Sequence, residues 1–378
     1  MKRVVILGGG VGGTIVANLL AKRLRPDEAE ITLVDRAGKH VYQPGFVYVA
    51  FDGMKPGPRI VREERKLLRK RVNLVLDEAV RIDPVSRRVR LANGRELEYD
   101  RLVIAVGARL VPEELPGYSE AAHHFYSLGA AKRLRKALES FKGGTVLVGV
   151  GNVPYKCPPA PAEAAALLDY YFTRKGIRER VDIHFLSPLG RVFPLETVNP
   201  VVERVFADHG IRSTVFFNVL SIDPEDRRVN SIEGESVPYD LLVMVPPHRG
   251  AKVVEESGLG DRGGWLPTDR HTLRTKAHPE IFGIGDCTDL PVSKSGAAAH
   301  FQAKVVADSI VADVRGMPAA NPYDGRVVCY FDAGYHKAMA MTFDYEHPPK
   351  PRRPGLKDWL GKMLVNRAYW TLVPSGRV

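Results

Sequence analysis

The stretch RVVILGGGVGGTIVANLLAKRL, residues 3–24, predicts the fold of the N-terminal part of the chain. An apolar strand leads into Gly8, Gly10 and Gly13, which have the spacing G-x-G-x-x-G, and an apolar helix follows. These glycines allow a tight turn, a close approach of pyrophosphate to the backbone, and helix–strand packing. The next strand, ITLVD, ends at Asp35, where a carboxylate can accept from ribose hydroxyls. The pattern predicts an adenine dinucleotide site; a glycine turn needed only for packing is the alternative.

The chain repeats this design. RIDPVSRRVRLANGRELEYDRLVIAVGA begins at residue 81, and SIDPEDRRVNSIEGESVPYDLLVMVPPH begins 140 positions later, at residue 221. A second glycine turn, at Gly149 and Gly151, follows the first by 141 positions. We therefore predict an α/β fold with two tandem Rossmann-like domains and a C-terminal region. The expected bounds are 1–108 with 265–325 for a discontinuous first domain, 109–264 for the second, and 326–378 for the C-terminal region.

The second glycine turn lacks features that a nicotinamide dinucleotide requires. In VLVGVGNVPYKCPPAP, residues 146–161, Pro154 stands where the third glycine is due and removes an amide donor. The following strand ends in Ser187-Pro188, so no carboxylate is available for a ribose. The prolines at 154, 158, 159 and 161 predict that no helix begins before Ala162. We expect no nicotinamide dinucleotide in this copy.

The chain has three cysteines, too few for a framework of structural disulfides. Cys157 lies in the proline-stiffened loop at the carboxyl end of a predicted strand, where open α/β sheets bind their ligands. Cys329 lies in VVCYF, a predicted strand 172 positions further on. Each cysteine alone is more often a small buried hydrophobe, and Cys287 is the strongest case for that role.

The order of glycine turn, acid, LVIAVGA, second glycine turn and IFGIGD resembles the flavin-containing pyridine-nucleotide disulfide oxidoreductase superfamily, over roughly residues 1 to 325. Three further segments, GNVPYKCPPAPAEAA, VVCYFDAG and LPVSKSGAAAH, resemble the sulfide:quinone oxidoreductases and the related flavocytochrome c sulfide dehydrogenases. The resemblance implies FAD in the first domain. The residues implied to bind it are Gly8, Gly10, Gly13, Asp35, Arg36, Gly107, Gly285, Asp286 and Lys294.

The resemblance also implies a site for sulfur chemistry. Cys157 and Cys329 would form a redox pair beside the flavin, with the carboxylate of Glu163 near the sulfur and Lys294 near the electron acceptor. Hydrosulfide and polysulfide would be the substrate and product, and a membrane quinone the acceptor. Many quinone-linked members carry a further cysteine between the two domains, whereas residues 102–145 contain none. No metal site is assigned.

Three alternatives remain open at this point. A single-subunit NADH:quinone oxidoreductase would share the flavin domain and the tail and would need no cysteine. A cytochrome-linked sulfide dehydrogenase would share the two cysteines. A non-catalytic flavoprotein would use both thiols structurally.

The C-terminal segment HPPKPRRPGLKDWLGKMLVNRAYWTLV, residues 347–373, predicts an amphipathic helix after a basic, proline-rich strap. An apolar stripe at helical spacing is formed by Leu356, Trp359, Leu360, Met363 and Leu364. Tyr369 and Trp370 follow, and such residues are favoured at the membrane–water boundary. We expect the helix to lie on a membrane surface, although a helix docked on its own domain would show the same stripe.

Composition and net charge indicate which other classes of binding partner to expect. The apolar share of 44% and the charged share of 26% are ordinary for a soluble globular protein, and no apolar run approaches a membrane span. The formal net charge of +11 favours an anionic partner, but the basic residues are scattered, which argues against nucleic acid. We expect a peripheral protein of the cell membrane without a secretory signal; a homo-oligomer is left open.

Overall fold

Two parallel β-sheets with helices against their faces form most of the molecule. The computed structural model describes residues 1–318 and 321–377; residues 319, 320 and 378, which belong to the predicted domain ranges, lie outside the described residues. The strands are β1 (Lys2–Leu7), β2 (Ala29–Asp35), β3 (Lys39–Val41), β4 (Val61–Glu63), β5 (Asn73–Leu76), β6 (Ala79–Asp83), β7 (Arg88–Leu91), β8 (Glu96–Glu98), β9 (Arg101–Ile104), β10 (Arg109–Leu110), β11 (Gly144–Val150), β12 (Val181–Leu186), β13 (Ile211–Thr214), β14 (Val219–Asp223), β15 (Arg228–Ser231), β16 (Ser236–Pro238), β17 (Leu241–Val245), β18 (His248–Arg249), β19 (Ile281–Gly283), β20 (Val327–Asp332) and β21 (Ala338–Phe343). The helices are α1 (Val11–Arg23), α2 (Gly45–Phe51), α3 (Tyr118–Ala121), α4 (Leu128–Ser140), α5 (Ala160–Arg174), α6 (Asn199–Asp208), α7 (Lys252–Glu256), α8 (Gly296–Arg315) and α9 (Leu356–Leu372).

The first sheet has the order β19-β9-β1-β2-β5, with all neighbours parallel. Its edge strand β19 comes from the chain beyond the second sheet, so the sheet is assembled from distant segments. Helices α1 and α8 pack on one face, where Ile6, Leu20 and Ile310 are fully buried. The carboxyl ends of β1, β9 and β19 therefore meet at one edge of the sheet, which is where parallel sheets present ligand sites.

The second sheet has the order β13-β12-β11-β17 and is also parallel. A three-stranded antiparallel unit accompanies each sheet, β6-β7-β8 with the first and β14-β15-β16 with the second. The turn residues Arg87 and Arg227 occupy the same repeat position and both have positive φ, at 54° and 51°. The predicted α/β fold is confirmed, and the internal repeat extends to the conformation of single turn residues.

The prediction that no helix begins before Ala162 is wrong, because α5 begins at Ala160. Pro161 lies in the first turn, where a backbone N–H would have no partner within the helix in any case. The missing amide of Pro161 therefore costs the helix nothing. The strand predicted around Cys329 is present as β20.

The C-terminal segment forms the hairpin β20-β21 and then α9, which packs against it. None of the helices that the structure describes combines the length and the apolar composition needed to cross a membrane.

Candidate active site

The first glycine turn joins β1 to α1 and needs glycine for steric reasons. Gly8 has φ +99°, and a Cβ there would lie 2.5 Å from the Ala105 carbonyl oxygen. At Gly13 a Cβ would lie 2.0 Å from the carbonyl oxygen of Gly8, so only glycine allows the helix this close to the strand. Gly10 differs, because a Cβ there would meet no protein atom within 4 Å. The space above Gly10 is open toward the site.

Asp35 lies at the end of β2, directly beside this turn. Its Oδ2 accepts from the amide of Gly9 at 2.9 Å, and its Oδ1 accepts from the amides of Ala37 and Gly38 at 2.9 and 2.7 Å. These bonds fix the carboxylate where the adenosine half of a dinucleotide would reach it. The neighbouring Arg36 is exposed, with its guanidinium 3.5 Å from Glu78.

A second part of the site lies at the ends of β9 and β19. Gly107 has φ +69° and no protein atom within 4 Å of a Cβ position. The amide of Gly285 donates to Gln302 at 2.7 Å, and Asp286 follows it. Asp286 Oδ1 is buried and has no hydrogen-bond partner among the described residues. Since buried carboxylate oxygens almost always have partners, this atom fits a cofactor hydroxyl. Open space at two glycines and an orphaned carboxylate oxygen together fit the FAD that the sequence implies.

The Cys157 loop reaches this region from the second sheet. The amide of Cys157, which has φ +56°, donates to the carbonyl of Lys294 at 2.7 Å. The Lys294 side chain is buried, donates to the Thr288 carbonyl and lies 3.9 Å from the ring centroid of Trp265. Burial lowers the pKa of Lys294, and the Asp286 carboxylate opposes that shift. Lys294 is therefore buried beside the Cys157 loop and is not a solvated surface lysine.

The fold brings Cys157 and Cys329 close enough for the charge of one thiolate to affect the other. Both thiols are free; Cys157 has access to solvent and Cys329, on β20, is half-buried. Burial raises the pKa of Cys329, and the charge of Cys157 raises it further. Desolvation by the surrounding protein raises the pKa of Cys157 to about 12, with the Glu163 carboxylate adding to the shift. Cys287 is fully buried and donates to the carbonyls of Ile104 and Ile284, as expected of a structural residue.

Glu163 belongs to a buried cluster of three charged groups. It lies in the first turn of α5, is 5% exposed, and accepts from the amide of Asp332 at 3.1 Å. The ammonium of Lys362, on α9, donates to Glu163 and lies 3.0 Å from the Asp332 carboxylate. Burial raises the pKa of Glu163, and Lys362 opposes the rise. Burial alone would lower the pKa of Lys362, but the carboxylates hold it well above its usual value.

Helix α9 turns its polar side inward. Asp358 accepts from the amide of Ala340 at 2.9 Å, and Lys362 reaches the charged cluster. Asn366 donates to the hydroxyl of Tyr48 at 2.7 Å. The outer side exposes Leu356, Leu360 and Leu364 by 57%, 53% and 69%, together with the charged Lys357 and Arg367. The docked side of α9 therefore carries these polar groups as well as the rings of Tyr369 and Trp370, which pack against the core.

The prediction that Tyr369 lies at the membrane–water boundary is wrong. Tyr369 is 6% exposed, and its hydroxyl lies 2.7 Å from Nε2 of the buried His40. His40 Nδ1 lies 3.1 Å from Glu64, which also accepts from Thr14 at 2.6 Å. Since Thr14 follows the glycine turn and Glu64 lies beside Gly9, this network connects the tail helix to the first nucleotide site. No sequence motif marks it.

Sequence analysis also missed Tyr126 and His248. In the part of the chain that the structure describes, Tyr126 Oη and His248 Nε2 are buried without a hydrogen-bond partner, and the two rings lie 5.4 Å apart. Burial lowers the pKa of His248 to about 3, and its Nδ1 lies 2.7 Å from the Pro246 carbonyl. A neutral imidazole donating from Nδ1 leaves Nε2 as an acceptor. One sequence signal could have identified His248: in the alignment of the two repeats it stands where the first copy has Ala108, so the second copy places a polar ring where the first has a methyl group.

The second glycine turn leads to a small cavity, and the carboxylate that lines it, Glu114, is paired with Arg249. Its volume is about 230 Å³, and its walls include Asn152, Val153, Pro188 and Leu220. Small-molecule sites typically measure roughly 300–1,000 Å³. Ser187, at the end of β12, donates to the carbonyl of Arg191 at 2.6 Å and brings no negative charge for a ribose.

Comparison with known proteins places these features in context. The profile of the family described as pyridine nucleotide-disulphide oxidoreductase matches residues 2–304. The mitochondrial sulfide:quinone oxidoreductase of Mus musculus is 29% identical over 357 residues, which cover 92% of this chain and 79% of that protein. The sulfide-quinone reductase of Aquifex aeolicus is 27% identical over 371 residues, covering 93% and 85%. The solved structure of the Aquifex aeolicus sulfide:quinone oxidoreductase matches with a TM-score of 0.88 at 25% identity, covering 100% of this chain and 92% of that one.

Proposed function

The chain belongs to the pyridine nucleotide-disulphide oxidoreductase family, and we propose that it is an FAD-dependent sulfide:quinone oxidoreductase. The observation that carries this proposal is that Cys157 and Cys329, 172 positions apart, lie close enough for the charge of one to act on the other, while the amide of Cys157 donates to the Lys294 carbonyl and Asp286 acts on the Cys157 thiol. Relatives named as sulfide:quinone oxidoreductases align over almost the whole chain. In this proposal residues 1–108 and 265–325 hold FAD, residues 109–264 carry Cys157, and residues 326–378 carry Cys329 and the tail.

The assignment of cofactor-binding residues follows the site geometry. Gly8, Gly10 and Gly13 with Asp35 hold the pyrophosphate and adenosine of FAD, and the Gly285-Asp286 segment with Gly107 holds the half that carries the flavin. Arg36 is exposed and directly follows Asp35, so it would contribute positive charge at the outer edge of the adenosine site. Lys294 would stabilise negative charge on a reduced flavin or a quinone oxygen, because a buried ammonium group acts strongly in a site of low dielectric.

The sulfur chemistry begins with hydrosulfide attacking an oxidised Cys157–Cys329 pair. The S–S bond breaks, one cysteine becomes a persulfide and the other leaves as a thiolate. Glu163, buried beside the thiols with a raised pKa, accepts the proton that hydrogen sulfide gives up. The thiolate and persulfide then close a sulfur bridge with release of two electrons and one proton. FAD, held by the glycine turn and the Gly285-Asp286 segment, would supply the two-electron acceptor for this oxidation and the reductant for quinone. Each further hydrosulfide opens the bridge in the same way, and each renewed closure delivers two electrons and one proton to the acceptor. The chain leaves as polysulfide when a persulfide on one cysteine attacks the sulfur of the other cysteine and displaces the chain, which re-forms the bridge.

The tail supports a membrane-borne acceptor. Three exposed leucines on α9 form an apolar face, and the strap before the helix contains Lys350, Arg352 and Arg353. An exposed apolar face flanked by basic residues is the pattern of helices that lie in the membrane interface. A protein held there by α9 meets a lipid-borne quinone directly.

Steady-state turnover tests the proposal. Purified holoenzyme is expected to reduce a short-chain quinone with sulfide and not with NADH. Cys157→Ala and Cys329→Ala are expected to abolish this activity, while Cys287→Ala, the matched control, keeps it. Turnover with NADH would contradict the proposal and favour the NADH:quinone alternative. Full sulfide activity in either Cys157→Ala or Cys329→Ala would contradict the role of the cysteine pair.

A further inference from the structure

We propose that Lys362, supplied by the tail helix, is a positioning residue of the sulfur site that sets the protonation state of Glu163. This role rests on the function proposed above and adds to it a residue from the element that faces the membrane. Three elements far apart in sequence, α5, β20 and α9, each contribute one charged group to the cluster. The helix that carries the exposed leucines therefore also completes the charge balance of the redox centre.

The geometry makes Lys362 part of the protein interior. Its side chain is 13% exposed, and its ammonium contacts two carboxylates that are themselves 7% and 4% exposed. The ammonium also lies 5.7 Å from the ring of Tyr48 on α2. A lysine on an amphipathic surface helix usually extends into water, so this inward placement needs a reason in the cluster. The reason is that the buried carboxylates of Glu163 and Asp332 need a cation, because charges buried without a partner are strongly destabilising.

The cluster carries a formal charge of −1 when Glu163, Asp332 and Lys362 are all ionised. Burial and the neighbouring Asp332 raise the pKa of Glu163, whereas Lys362 lowers it through charge and a hydrogen bond. Removal of Lys362 leaves two carboxylates without their cation, and one of them must take up a proton. Other titratable groups that interact with the cluster are Tyr42, Tyr48, Asp52, Tyr126, Cys157, Cys329 and Tyr330. None of these others is a cation.

The consequence concerns proton transfer at the sulfur. A carboxylate can accept a proton from hydrogen sulfide only when it is ionised, so the pH at which Glu163 ionises sets the lower pH limit of the reaction. Lys362 keeps that limit low. Because Lys362 is carried by α9, the same docking of α9 that aims the leucines outward keeps Glu163 ready to accept a proton.

An infrared titration of the purified holoenzyme tests the inference without any turnover. The absorption of protonated carboxyl groups is followed with pH, and Glu163→Gln identifies the part that belongs to Glu163. In Lys362→Met the midpoint is expected to rise by about one pH unit or more, a tenfold change in the proton affinity of Glu163. Lys362→Arg, which keeps the charge, should stay near wild type. Lys357→Met, which removes an exposed lysine from the same helix, should not differ from wild type.

Asp332→Asn gives a second variant with the opposite sign. It removes the like charge, so the Glu163 midpoint is expected to fall, and this result is obtained even if Lys362→Met does not fold. An unchanged Glu163 midpoint in Lys362→Met would overturn the inference whatever Asp332→Asn shows. If Lys362→Met does not fold, Lys362→Gln, whose amide can still donate to the carboxylates, takes its place with the same expected rise and the same contrary outcome.

The pH profile of sulfide-dependent quinone reduction then connects the titration to function. The pH at which activity falls on the acidic side should follow the Glu163 midpoint. It should be higher in Lys362→Met and close to the wild-type value in Lys362→Arg. An acidic fall in activity that stays in place while the midpoint moves would overturn the role at the sulfur site. A wild-type enzyme without any sulfide activity would instead refute the proposed function, and the titration would still report on the cluster.

Discussion

Replacing Gly10 with alanine should separate cofactor binding from folding. Gly10 has φ −85° and ψ −167°, an extended conformation that alanine adopts without strain. Its added methyl group would meet no protein atom within 4 Å, so the stability of the apoprotein should change by less than about 0.5 kcal/mol. The methyl group would, however, enter the space through which the pyrophosphate approaches the backbone. Each charge-assisted hydrogen bond lost there costs about 1.5–3 kcal/mol, which corresponds to roughly a 10- to 150-fold weaker affinity for FAD.

The assay pairs two measurements on the same variant. Quenching of FAD fluorescence during titration of the apoprotein gives the dissociation constant, and urea unfolding of the apoprotein gives its stability. Gly8→Ala is the contrasting variant, because its φ of +99° and its 2.5 Å contact with the Ala105 carbonyl predict a loss of stability as well. Wild-type affinity for FAD in Gly10→Ala would refute the assignment of the first glycine turn to the pyrophosphate.

Three further predictions address the thiol, the tail and the network beneath it. Because the surrounding protein raises the pKa of Cys157 to about 12, thiolate is scarce at pH 7 and alkylation of the reduced apoprotein by iodoacetamide should keep accelerating above pH 9; a plateau below pH 9 would contradict this. Leu360→Gln with Leu364→Gln should weaken co-sedimentation with anionic vesicles about tenfold or more while activity with a water-soluble quinone is kept, since each loses an exposed apolar side chain; undiminished vesicle binding would argue against a membrane-facing α9. Tyr369→Phe removes the hydrogen bond to buried His40 and should lower the free energy of unfolding by about 1–3 kcal/mol in urea; no change would show that this bond contributes nothing to the docking of α9.

Sequence reasoning succeeded where the signal is local. The turn between β1 and α1 requires glycine at positions 8 and 13 for steric reasons, so the spacing of Gly8, Gly10 and Gly13 in the sequence indicates that turn directly. The internal repeat predicted the second sheet for the same reason, since a duplicated pattern implies a duplicated fold. The match between Arg87 and Arg227 shows how closely the two copies agree.

The tail shows where such reasoning stops. Periodicity identifies the apolar face of α9 but not the direction in which that face points, because a stripe of leucines is equally compatible with a core and a membrane. The direction is set by partners far away in sequence, such as Glu163 for Lys362 and His40 for Tyr369. Those pairs are 199 and 329 positions apart and carry no motif. Only the folded arrangement reveals them.

Anaerobic spectroscopy of the holoenzyme tests the central claim, that two distant sulfur atoms deliver electrons from sulfide to the flavin, most directly. Stoichiometric sulfide is added to the yellow protein in one cuvette and NADH in another, and the flavin absorbance is followed in wild type and in Cys157→Ser. The account predicts loss of the flavin absorbance with sulfide in wild type, no change with NADH, and no response to sulfide in Cys157→Ser. Loss of the absorbance with NADH, or with sulfide at the wild-type rate in Cys157→Ser, would contradict it.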